Sequence, residues 1–183
     1  MLVADINEIN ISLRNSKYFL NGIIFDTCVL FVYLLDKYTT LHPEKRMMLR
    51  SLGVTECQIS CLNTIIKNFS ISKIIITPHI LSEFLNRIRN EYKTDYKEIK
   101  KECLEDLKKF NEIGIDKNTL LSHNSFFEYG NDISLVLATE KHLNQFEFGS
   151  IASFDGRFIR SLYKNSGNKI LAFDLETMQY FFT

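Results

Sequence analysis

The sequence carries no excess of either charge, no apolar run of membrane length and no Cys-x-x-Cys pair. Each absence removes a class of function. Its 22 basic residues balance 22 acidic ones, so no overall basic field draws the chain to a polyanion, although a local basic patch remains open. No apolar stretch approaches the roughly 20 residues that a membrane-spanning helix needs. The first residues, Met-Leu-Val-Ala-Asp-Ile-Asn-Glu, place acids where a secretory signal has lysines, and a cytoplasmic protein is expected. Cys28, Cys57, Cys61 and Cys103 lie in apolar, helix-like contexts and read as buried free thiols. Cys57 and Cys61 are one helical turn apart, but no second pair or nearby histidine completes a metal site. His42, His79, His123 and His142 have no ligand spacing, so zinc is not expected. There is no Gly-x-x-x-x-Gly-Lys loop for a nucleoside triphosphate and no Gly-x-Gly-x-x-Gly for a dinucleotide. No repeat, low-complexity tract or internal linker interrupts the chain.

What is present is an ordinary globular composition, 45% apolar and 24% charged over 183 residues, long enough for one domain with a sizeable core. The pattern is clear from Gly22 onward. Residues 1–21 read as an N-terminal extension of uncertain form, with Ile9, Ile11 and Leu13 alternating like a strand, and residues 22–183 as the domain proper. Strand 1 is expected over 22–26 and a helix through Val29–Lys37. Residues 46–69 look helical in two pieces broken near Gly53. Strand 2 is Lys-Ile-Ile-Ile-Thr at 73–77, and Thr77-Pro78 opens a helix, since proline suits a first turn. Residues 92–114 form a charge-rich segment with apolar positions at helical intervals, whose mixed charges read as a solvated face. Leu120 and Leu121 make a weak strand 3, and Gly130-Asn131-Asp132 starts a further helix. Strand 4 covers 150–154 and strand 5 covers 169–173, with 176–182 as a closing helical turn or two. Strands alternating with helices predict an α/β fold, a parallel sheet covered on both faces.

Right-handed crossovers bring the carboxyl ends of all parallel strands to one edge of the sheet. Asp26 follows strand 1 and Asp155 follows strand 4. Glu83 lies on the second turn of the helix after strand 2, and Asp132 starts the helix after strand 3. Each alone has a plain structural reading: Asp26 and Asp132 suit helix N-caps, Glu83 suits a solvated face, and Asp155-Gly156 suits a turn. Together they place four acids on one face. Carboxylates gathered without basic partners repel one another and suit a hard divalent cation, Mg2+ or Mn2+. Such an ion activates water and stabilises a phosphodiester under attack. Asp174, at the end of strand 5, is placed at the sheet edge and left outside the site. A haloacid-dehalogenase-like phosphatase would need a second Asp at position 28, which is Cys, and the paired acids of a receiver domain are absent.

Ile-Ile-Phe-Asp26-Thr27, Pro-His-Ile-Leu-Ser-Glu83-Phe, Asp132-Ile-Ser-Leu-Val-Leu-Ala and Ser153-Phe-Asp155-Gly-Arg157-Phe158 resemble, in order and strand context, the four signature stretches of PIN domains. The resemblance spans about 22–182, and its Ser-x-Asp-x-x-Phe element is the most specific. It implies a three-layer α/β/α fold with a five-stranded parallel sheet in order 3-2-1-4-5. It also implies a metal-dependent ribonuclease, of the kind that includes toxins of bacterial toxin–antitoxin pairs. Asp26, Glu83, Asp132 and Asp155 would be the catalytic, metal-binding acids, with Thr27 and Ser153 supporting them. Three features depart from the pattern. Cys28 stands where a small polar residue is common, the stretch from Glu83 to Asp132 is longer than in the small toxins, and the N-terminal extension is additional.

The resulting expectation is an endoribonuclease that uses Mg2+ or Mn2+, with Arg157, Arg160 and Lys164 as candidates to contact the RNA backbone. A homodimer and an inhibitory protein partner stay open. The rivals are a non-catalytic PIN-like module that binds protein or RNA, and a structure-specific DNA nuclease.

Overall fold

Ile23, Ile24 and Phe25 form a three-residue strand (β2) in which every side chain is buried. An uninterrupted apolar run of this kind belongs in the middle of a sheet covered on both faces. The computed structural model describes residues 2–5, 17–68, 73–123, 132–166, 169–177 and 179–182. In chain order these hold β1 (Leu2–Asp5), a 3-10 turn at Lys17–Phe19, β2 (Ile23–Phe25), α1 (Thr27–Leu41), α2 (Met47–Ser51) and α3 (Glu56–Asn68). There follow β3 (Ile74–Ile76), α4 (Pro78–Glu91), α5 (Tyr96–Leu107), β4 (Asn111–Glu112) and α6 (Lys117–Ser122). The chain closes with α7 (Ile133–Phe146), β5 (Gly149–Ser153), α8 (Gly156–Ser166), β6 (Ile170–Asp174) and β7 (Gln179–Phe182).

The strands make one sheet in the order β1-β7-β6-β5-β2-β3-β4. Its five central members, β6-β5-β2-β3-β4, all pair in parallel. Numbered among themselves, they give the 3-2-1-4-5 order expected of the fold. Strand order reverses between β2 and β5, and a crevice at such a reversal is where open α/β sheets bind their ligands. α1 packs with α2, α3, α4 and α5, while α7 lies on β2 and β5 and α8 on β5 and β6. Gly22 leads into β2 with φ +105°, and a Cβ there would stand 2.3 Å from the Lys73 carbonyl oxygen. Only glycine allows the two strands to begin side by side at this point. No helix among the described residues is long and apolar enough to cross a membrane.

The break at Gly53 is as expected: φ is +70° there, between α2 and α3. Three other expectations are corrected. Leu120 and Leu121 are helical, in α6, because Asp116 caps that helix by accepting the Asn118 and Thr119 amides at 2.9 and 3.0 Å. The third parallel strand is β4, whose polar residues Asn111 and Glu112 pair with Ile75 and Ile76 at the sheet margin. The segment after β6 is a strand, not a helical turn. Asp174 Oδ1 accepts the Glu176 and Thr177 amides (3.1 and 3.2 Å), reversing the chain so that β7 returns antiparallel to β6. β1 then pairs antiparallel with β7, so part of the N-terminal extension is the outermost strand and β6 is not an edge. Ile9, Ile11 and Leu13 lie outside the described residues, as do Gly130 and Asn131.

Candidate functional site

Parallel pairing of β2, β3, β5 and β6 puts their carboxyl ends on one edge, and the register sets Phe25 beside Ala152. The next residue, Asp26, donates its amide to the Ala152 carbonyl at 3.1 Å. It occupies the N-cap position of α1, yet its side chain makes no capping hydrogen bond. Instead Asp26 Oδ2 accepts the hydroxyl of Ser153, the last residue of β5, at 2.6 Å. Burial raises the Asp26 pKa; the Ser153 hydroxyl and the Thr27 amide pull it back, and the Glu83 and Asp155 charges raise it further.

Ser153 is fully buried, and its oxygen also accepts the Asp155 amide at 2.9 Å. Asp155 Oδ1 accepts the Arg157 and Phe158 amides, both at 2.9 Å. That is the geometry of a helix N-cap, here on α8. The turn expected at Asp155-Gly156 is thus a helix cap, made by one of the two Asp155 oxygens. On the β3 side of β2, the buried Thr27 hydroxyl donates to Glu83 Oε2 at 2.8 Å. The first turn of α1 thus orients a carboxylate on the exposed side of α4.

Asp132 takes the N-cap position of α7 without a side-chain capping bond, so the cap reading does not describe it. Its pKa is pushed up to about 6, first by burial and then by the charges of Asp26, Asp155 and Glu83; His79 opposes them. Four acids from four segments therefore share one electrostatic neighbourhood. Their oxygens suit a hard cation in chemistry. As the side chains stand, no group of three or more Asp, Glu, His or Cys among the described residues is close enough to hold an ion.

Of the expected backbone-contacting cations, Arg157 and Lys164 are exposed on α8. Arg160 is engaged elsewhere: its Nη1 donates to the fully buried Asp174 at 3.1 Å. The cysteines are corrected in part. Cys61 and Cys103 are buried, whereas Cys28 and Cys57 are exposed, each in the first turn of its helix. Cys28 Sγ accepts a hydrogen bond from Arg87 Nη1 at 3.4 Å. The sequence reading missed Arg87 and the approach of His79. Both were signalled by spacing, because His79, Glu83 and Arg87 recur every four residues along one face of α4. No known family, curated protein or solved structure matches the chain.

Proposed function

We propose that the protein is a metal-dependent ribonuclease that hydrolyses RNA phosphodiester bonds at the β2/β5 crevice. The observation that carries this reading is Asp132, whose carboxyl is held at about 6 by burial and by the charges of Asp26, Asp155 and Glu83. A fold that keeps like charges together, with His79 opposing them at Asp132, is suited to binding a cation. Magnesium and manganese are bound through one or two carboxylates and keep several waters, so a full protein cage is not required. Asp26 and Asp132 would hold the ion, joined by Glu83 and by the Asp155 oxygen that does not cap α8. A bound ion would supply an activated water and offset charge on the phosphodiester being cleaved. Ser153 fixes the rotamer of Asp26, and Thr27 fixes that of Glu83. The sheet order implied by the PIN-domain resemblance agrees with this reading.

One observation favours the non-catalytic module: no three of these groups converge closely enough on one point. The two readings separate in a cleavage assay on single-stranded RNA with Mn2+ or Mg2+. The nuclease is expected to cut in a chelator-sensitive way, and Asp26→Asn to lose cutting while its circular dichroism stays native. Protein that cuts neither RNA nor structured DNA with either metal favours the binding module.

A further inference from the structure

Arg87 sits on α4 one turn beyond Glu83, and three contacts fix its guanidinium in place. The group lies 4.3 Å from the centre of the Phe31 ring on α1. Nε donates to Glu91 Oε1 at 3.2 Å, and Nη1 donates to Cys28 Sγ at 3.4 Å. Its ion pair is therefore with Glu91, the carboxylate four residues on, and not with Glu83, four residues back. Cys28 lies between the two kinds of charge, within the fields of Asp26 and Glu83 and also of Arg87. Through Cys28, the anchored cation therefore adjoins the acid cluster without pairing with any of its four members.

We infer that Arg87 is a substrate-contacting residue that receives a phosphate of the RNA strand, next to the phosphate over the acid cluster. The inference rests on the ribonuclease reading above and adds to it the group that positions the strand. A guanidinium is a planar fork of five donors, and the two bonds described use two of them. One of those bonds goes to a thiol, a weak acceptor that a phosphate oxygen readily displaces. Stacking on Phe31 and pairing with Glu91 remove rotamer freedom before the strand arrives, so less is lost when the phosphate is bound. The same feature explains how a chain with no net charge holds a polyanion: the cation is local and aimed. It also gives Cys28 a role, as a small resting partner for Nη1.

The test is steady-state cleavage of a labelled single-stranded RNA oligonucleotide with Mn2+, over a range of salt concentrations. Arg87→Ala is expected to raise KM about tenfold with kcat little changed, because a charge-assisted phosphate contact is lost. It should also reduce the slope of log(kcat/KM) against log[salt] by about 0.7, one counterion on a single strand. Arg87→Lys should restore the slope and part of KM. Glu91→Gln, which keeps an oxygen to accept from Nε but weakens the anchor, should raise KM by less than Arg87→Ala does and leave the salt slope unchanged. If Arg87→Ala melts too low to assay, Arg87→Met keeps an unbranched stem on Phe31 without the charge and carries the same comparison. Wild-type cleavage with KM and salt slope unchanged in the uncharged variant overturns the role of Arg87 and leaves the nuclease standing. A wild type that cuts no RNA overturns the nuclease reading and this inference with it.

Discussion

Ser153 and Asp26, 127 positions apart in the chain, are joined by a 2.6 Å hydrogen bond from the Ser153 hydroxyl to Asp26 Oδ2. The Ser153 oxygen also accepts the Asp155 amide. One hydroxyl, on a side chain that is itself fully buried, therefore ties together two acids from opposite sides of the strand-order reversal. Ser153→Ala is expected to leave Asp26 without its donor and the Asp155 amide without its acceptor. Each such loss in a buried place costs about 1–3 kcal/mol. Urea melts should show the destabilisation, and RNA cleavage should fall further than the lost stability accounts for. A variant as stable and as active as wild type would show that the bond orients nothing.

Asp155 separates capping from chemistry. Its Oδ1 accepts two amides of the first turn of α8, and asparagine does the same with its carbonyl oxygen. Asp155→Asn should therefore hold its melting temperature within a degree or two while losing cleavage. Asp155→Ala should lose cleavage and also about 0.5–2 kcal/mol of stability. Equal activity in Asp155→Asn and wild type would reduce Asp155 to a cap.

The fold was legible where apolar runs met polar punctuation. Ile23–Phe25 running into Asp26, and Gly149–Ser153 running toward Asp155, show strand, boundary and candidate acid together. β4 was not legible, because Asn111 and Glu112 pair through their backbones and are exposed; no apolar pattern marks such a strand. The Leu120-Leu121 pair drew the strand assignment instead, although the Asp116-Lys-Asn-Thr cap lay just before it. β7 was misread because the turn before it depends on Asp174, whose carboxylate reaches two amides that a linear reading does not connect. That carboxylate also accepts from Arg160 Nη1, so one of the cations assigned to the substrate has a second partner inside the fold. Within the site, Asp26, Asp132 and Asp155 could be read because each follows a strand or opens a helix, and Glu83 because it lies within two turns of the end of β3. Arg87 could not be placed in the same way, since its contacts with Phe31 and Cys28 lie on a different helix.

His142 gives a pH prediction remote from the acids. It is 2% exposed on α7, its Nε2 has no hydrogen-bond partner among the described residues, and burial lowers its pKa. The unfolded chain therefore takes up a proton near pH 6.5 while the folded protein resists it. The stability that this group permits is fully present above that pH and is lost as pH falls through it. The slope reaches at most about 1.4 kcal/mol per pH unit per proton. His142→Leu should flatten the fall between pH 7 and pH 5 in urea melts. Parallel losses in wild type and variant would mean that His142 contributes nothing to it.

Asp132 tests whether the four acids act as a unit. Its side chain caps nothing, and the charges of Asp26, Asp155 and Glu83 oppose its ionised form. In metal-free protein at neutral pH, Asp132→Asn removes one of four mutually repelling charges and breaks no capping bond. The variant is expected to melt above wild type. Manganese should reverse the order, because a ligand that binds only the native state stabilises it, by about 2.7 kcal/mol at 100 times its dissociation constant. Wild type has the full set of donors and should gain more than the variant. The measurement is four thermal melts, each protein with a chelator and with Mn2+, at a pH where the remaining carboxylates are charged. A variant that melts several degrees below wild type without metal would mean that the Asp132 carboxylate stabilises the fold, against its surroundings as described. An equal rise in both proteins on adding manganese would mean that the ion is held elsewhere, and the crevice would lose its claim to be a metal site.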